Sequence, residues 1–211
     1  MSPLMAALLA AFLIPLFIAS WRISLLGLSC QGLLMAWMAF RKDPDPISIN
    51  GFLTMADLAL IRGISLPIAL YSVLRSQSTP YRINVISANL LSWTLSLGIV
   101  LLAFNFSELL ADGQGEARNV LAIVATGVML GFQILATPSA GIFSQLIGVL
   151  YIENAIGFLE QGSVAGPEPI AVRLAQISVV AMTFLLYRWY LMTLQSDTLV
   201  EIPEALEGPT I

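Results

Sequence analysis

Hydrophobic positions in this chain fall in long unbroken runs rather than alternating with polar ones. Runs of about 20 residues occupy 3–21, 22–40, 52–74, 85–106, 118–137, 140–159 and 170–191. A helix needs such a run to cross roughly 30 Å of hydrocarbon. Only helices and closed barrels satisfy every backbone hydrogen bond in lipid, and barrel strands alternate where these runs do not. The pattern therefore predicts an all-α fold, a polytopic transmembrane helical bundle of about seven helices.

The first two runs meet at Trp21 and Arg22, which implies a tight hairpin, with one long bent helix as the alternative. The first run has neither a basic n-region nor a small-residue cleavage site, so it is expected to be a retained helix and not a signal peptide. Connections are short and polar, among them RKDPDPISIN (41–50) and GSVAGPEP (162–169). Residues 1–194 are expected to form one transmembrane domain and 195–211 an acidic soluble tail. That tail holds Asp197, Glu201, Glu204 and Glu207 with no basic residue, and reads as a solvated segment or as a docking strand for a basic partner.

Composition strengthens the membrane assignment. The chain is 58% hydrophobic and 10% charged, where soluble domains carry about 25% charged residues. The lipid bilayer is the expected partner over most of the surface, and nucleic acid is not expected at a net charge of −4. There is no histidine, and Cys30 is the one cysteine. No haem, iron–sulfur or structural-metal ligand set can be assembled, so no cofactor is expected in this subunit. No nucleophile–base pair stands out either, and no catalytic centre is expected. Orientation stays open: Arg22, Arg75, Arg82 and Arg188 fall on one side, Arg41, Lys42, Arg118 and Arg173 on the other.

Three ionisable residues lie within apolar runs: Asp57, Arg62 and Glu153. An acidic residue near a helix centre costs about 2.5–3.5 kcal/mol on insertion scales, which makes each a functional candidate by default. Asp57 and Arg62 are five apart, about 140° around an α-helix, and are expected to pair poorly within it. Asp57 also stands near the start of its run, where an interfacial position is the simpler reading. Arg62 is followed by Gly63 and Pro67, and proline frees a carbonyl that can attract a cation or water. Its alternative is to snorkel or to pair with a neighbouring subunit. Glu153 sits deeper, with Asn154 beside it and Gln145 two turns earlier.

Gln31, Asn89, Gln133, Gln145, Asn154 and Gln176 are spread over five of the runs. Each alone is ordinary interhelical glue, and together with Glu153 they offer polar groups for a line of buried waters. Gly127 and Gly131 form a GxxxG that permits close helix approach, and Gly148 and Gly157 flank Glu153.

SQLIGVLYIENAIGFLE, around Glu153, resembles the Glu-Asn element of the membrane E-subunit family of hydrogenase-4 and formate hydrogenlyase complexes. That half of the family is itself similar to the K subunit of bacterial complex I and the C subunit of multisubunit cation/proton antiporters. LLGLSCQGLLMAW resembles the family's second helix, with Gln31 at its polar position, and LALIRGISLPIAL its third, with Arg62 where lysine is common and Pro67 retained. The family usually has Asn-Gly after the glutamate, and this chain has Asn154 and Ala155. The family's last helix often carries acidic residues where AVRLAQISVVAMTF offers Arg173 and Gln176, and glutamine cannot release a proton.

The resemblance implies a membrane-arm component of a complex I-like or hydrogenase-like assembly in a prokaryotic inner membrane. Its partners would be antiporter-like membrane subunits and hydrogenase-like or complex I-like peripheral subunits. Its candidate proton-path residues are Glu153, Arg62, Asp57, Asn154, Gln145, Gln176 and Gln31. Two alternatives stand beside it: a structural linker in the same assembly with no ion path of its own, and an independent small channel or transporter.

Overall fold

The structure, a computed structural model, describes residues 2–18, 20–42, 48–76, 90–111, 115–137, 142–163 and 170–200. Arg82, Asn89 and the tail residues Glu201, Glu204 and Glu207 lie outside them. The described elements are all helical: α1 (Pro3–Phe17), α2 (Trp21–Lys42), a third rod of α3 (Ile49–Met55), a π-helical segment (Ala56–Ser65) and α4 (Leu66–Ser76), then α5 (Leu90–Leu110), α6 (Gly115–Leu135), α7 (Ile142–Ser163) and α8 (Ile170–Val200). Six of these rods are long and apolar enough to cross a membrane, so the chain is an integral membrane protein.

The exception is α1. Ser2 caps it by accepting a hydrogen bond from the Met5 amide, and Pro3 fits the first turn, where its missing N–H is no loss. The helix ends after 15 residues, with Ile18 extended at φ −115°, ψ 111°, short of the run expected to reach residue 21. A turn in which the Ser20 amide donates to the Ile18 carbonyl precedes α2. The hairpin is what forms, and α1 packs back along α2. At the other terminus α8 stays helical to Val200, so the expected tail begins as a continuation of the last helix.

The third rod departs from the sequence expectation in a way that changes the site. From Ala56 to Ser65 the backbone is π-helical, and at its end the Leu66 amide donates to the Ile61 carbonyl, five residues back. An i→i+5 ladder places residues five apart nearly above one another. The expectation that Asp57 and Arg62 pair poorly assumed α-helical winding and is wrong here: they form an ion pair, Arg62 Nε to Asp57 Oδ2 at 3.2 Å. Pro67 has no N–H for the Gly63 carbonyl four residues earlier, and Ser29 of α2 donates its hydroxyl to that oxygen instead. The carbonyl expected to attract a cation or water already has a protein donor.

α7 is the most buried span and α8 the least. Close approach of α6 to α7 rests on the GxxxG: a Cβ on Gly127 would stand 2.8 Å from Ala155 Cβ, and one on Gly131 would stand 2.5 Å from Ile152 Cγ1 and 2.8 Å from the Gly148 carbonyl oxygen. Tyr151 meets Phe12 of α1 edge to face at 5.3 Å and donates its hydroxyl to the Phe12 carbonyl at 3.1 Å. Outward faces of α5 and α8 expose Leu101, Leu102, Leu185 and Leu186, surfaces suited to hydrocarbon.

Candidate functional site

α2 crosses the π-helical segment at glycine on glycine. A Cβ on Gly32 would lie 2.6 Å from the Gly63 nitrogen, 2.7 Å from its Cα and 2.8 Å from the Leu58 carbonyl oxygen. This contact sets Gln31, one residue before the crossing, beside the polar residues of the third rod and α7.

A continuous buried network results. Arg62 pairs with Asp57 through Nε, and its Nη1 donates to the Glu153 backbone carbonyl at 3.1 Å and to Asn154 Oδ1 at 3.4 Å. Asn154 Nδ2 donates to Gln31 Oε1 at 2.9 Å, and Gln31 Nε2 to the Ala11 carbonyl at 3.1 Å. Four helical rods are thereby joined. Gly157 lies one turn beyond Glu153, and a Cβ there would stand 3.3 Å from Arg62 Nη1, so its bare backbone lets the guanidinium lie against α7. The relative exposures are 3% for Asp57, 7% for Arg62, 0% for Gln31 and 4% for Asn154. These values and bonds show Arg62 paired within the chain, so it neither snorkels nor waits for a neighbouring subunit, and they show Asp57 buried among the helices.

Glu153 belongs to the edge of this network. Consecutive residues on a helix point about 100° apart, so while Asn154 faces α2 and the third rod, the Glu153 side chain turns to α8. There Oε1 accepts the Thr183 hydroxyl at 3.0 Å. Its Oε2 and the Asp57 Oδ1 are both buried without a hydrogen-bond partner among the described residues. Each carboxylate thus has one oxygen held and one without a partner among the described residues.

The remaining candidates are elsewhere. Gln145 is exposed on the opposite half of α7. Gln176 accepts from Arg173 at 3.5 Å near the start of α8, apart from the network. Gln133 works between α5 and α6, accepting the Ser96 hydroxyl at 3.0 Å and donating to the Ser92 carbonyl at 3.0 Å. Ser29, Gly32 and Thr183 complete the site without having stood out in the sequence. Ser29 had one usable signal: a proline four residues after Gly63 leaves that carbonyl in need of a donor. Thr183 had none, because its role depends on which face α8 presents. Among the described residues no group of three or more cysteine, aspartate or glutamate side chains is placed to hold a metal.

The chain matches no protein-family profile, no curated protein and no solved structure.

Proposed function

We propose that the chain is a membrane-arm component of a complex I-like or hydrogenase-like assembly, and that Glu153 is its protonatable group. The observation that carries this reading is an intramembrane carboxyl with one oxygen held by Thr183 and the other unpartnered, next to a guanidinium that is itself fixed on three acceptors. Oε2 is the atom that gains and loses the proton. Arg62 is fixed by Asp57 and the backbone of α7, so it sets a constant positive field beside the site and does not itself move charge. The resemblance of the stretches around Gln31, Arg62 and Glu153 to the hydrogenase-4 and formate hydrogenlyase family supplies the partner class: antiporter-like membrane subunits and hydrogenase-like or complex I-like peripheral subunits, in a prokaryotic inner membrane.

A structural linker is the second reading, and a specific observation favours it. The Arg62–Asn154–Gln31 line joins four rods and ends at the Ala11 carbonyl without reaching an acidic residue on α8. Gln176, which stands where the family often has an acid, is bonded to Arg173.

The test begins with native membranes, a C-terminal tag and a mild detergent. Antiporter-like and hydrogenase-like or complex I-like subunits are expected in fixed ratio with the chain. Recovery of the chain alone removes the assembly reading and leaves an independent channel or transporter. With the assembly in hand, Glu153→Gln keeps the shape and the Thr183 contact but cannot release a proton. Proton translocation per turnover is expected to fall about tenfold or more with the subunits still associated. Unchanged translocation in that variant selects the linker.

A further inference from the structure

A second site lies beyond Glu153 along α7, at the end of the bundle where α1 and α6 begin and α2 and α7 end. It is an open cavity of about 380 Å³, within the range of small-molecule sites. Its lining is mostly apolar, with Met5, Met38, Val120 and Phe158 in it, and the exposed Arg41 and Lys42 line it too. We infer that it holds an anionic phospholipid, the headgroup phosphate on Arg41 and Lys42 and part of an acyl chain against Met5, Met38 and Phe158.

Lys42 is not a loose surface cation. Its Nζ donates to the Gln161 backbone carbonyl of α7 at 2.8 Å, which holds the ammonium across the opening. An ammonium has three donors, so two remain for a ligand. The ion pairs between described residues are Arg62 with Asp57 and Arg118 with Glu108, and neither uses Arg41 or Lys42. Glu116 is the one carboxylate among the described lining residues, and it is exposed in the first turn of α6, where the helix dipole favours a negative charge. Position agrees with charge. Trp37 and Phe40, both exposed, lie on the last turns of α2 with ring centroids 6.5 Å apart, as expected where a span meets the headgroup layer. Basic pockets between transmembrane helices at that depth select anionic headgroups, and a pocket that opens onto apolar walls takes the chain as well.

This site is independent of the role proposed for Glu153. The test uses the full-length chain, delipidated in maltoside micelles, with retained lipid counted by native mass spectrometry. The additions are dioleoylphosphatidylglycerol, dioleoylphosphatidylcholine or inorganic phosphate. One phosphatidylglycerol is expected per chain, bound about tenfold more tightly than phosphatidylcholine, with that preference nearly lost in the Arg41→Gln/Lys42→Gln double variant. Ala39→Trp, which fills the cavity while leaving both cations, is expected to abolish retention. Equal binding of the two lipids overturns the inference, as does full phosphatidylglycerol binding by the double variant. Displacement by an equal concentration of inorganic phosphate also overturns it, since the site would then hold a free anion. If the double variant does not fold, wild-type selectivity and Ala39→Trp still decide: phosphatidylglycerol held by Ala39→Trp as tightly as by the wild type sinks the lipid.

Discussion

Arg62→Ala is expected to destabilise the folded bundle by about 3–5 kcal/mol, the scale of removing one partner from a buried ion pair. The size of the effect identifies its source. Hydrogen bonds between membrane helices average about 0.6 kcal/mol, so the two that Arg62 makes to α7 account for only about 1 kcal/mol between them. The rest comes from Asp57, left buried with no cation beside it. Neutralising both partners removes that cost, so Asp57→Asn/Arg62→Gln is expected to lie within about 1–2 kcal/mol of the wild type. Unfolding in mixed micelles of mild detergent and dodecyl sulfate measures both. Equal losses in Arg62→Ala and the double variant would show that the ion pair is not what holds Asp57 in the membrane.

The second large effect is steric. Gly32→Val places atoms within 2.8 Å of the Gly63 nitrogen, the Gly63 Cα and the Leu58 carbonyl oxygen, all backbone, so no rotamer change relieves the overlap. Overpacking of this kind costs about 1–3 kcal/mol and sometimes more. Gly98→Val serves as the control, because a Cβ there meets nothing within 4 Å, and such a change is expected within about 0.5 kcal/mol. A displaced α2 also carries Gln31 away from Asn154. The combination of Gly32→Val with Asn154→Ala should therefore lose less than the sum of the two single variants, a non-additivity expected of residues sharing one contact. A Gly32→Val protein as stable as Gly98→Val would mean that the helices do not cross at this glycine.

The sequence made the helices legible because lipid allows so few alternatives. An apolar run of the right length must be a helix, and Gly127 with Gly131 announces a close neighbour even though it does not say which. Glu153 and Arg62 were visible as charges that lipid would exclude without a reason. What stayed hidden has two physical causes. Angular reasoning about Asp57 and Arg62 depends on the winding of the helix between them, and a π-helical segment turns an unfavourable separation into a direct contact. The remaining partnerships are set by packing across the chain: Gln31 meets Asn154 across 123 residues, and six scattered amides look alike until the crossing of α2 over Gly63 selects one of them. Gln145 stands eight residues before Glu153, a spacing that on an α-helix means about 12 Å of rise and about 80° of rotation, so the two side chains neither meet nor share a face.

α8 touches the rest of the molecule so lightly that synthesis can be divided at it. Every member of the buried network, from the Ala11 carbonyl through Gln31, Asp57 and Arg62 to Asn154, is made before α8 begins at Ile170. A nascent chain emerging from its N-terminal end can close that network while the last helix is still on the ribosome. Glu153 alone must wait, because the hydroxyl that holds its Oε1 arrives with Thr183, thirty residues later.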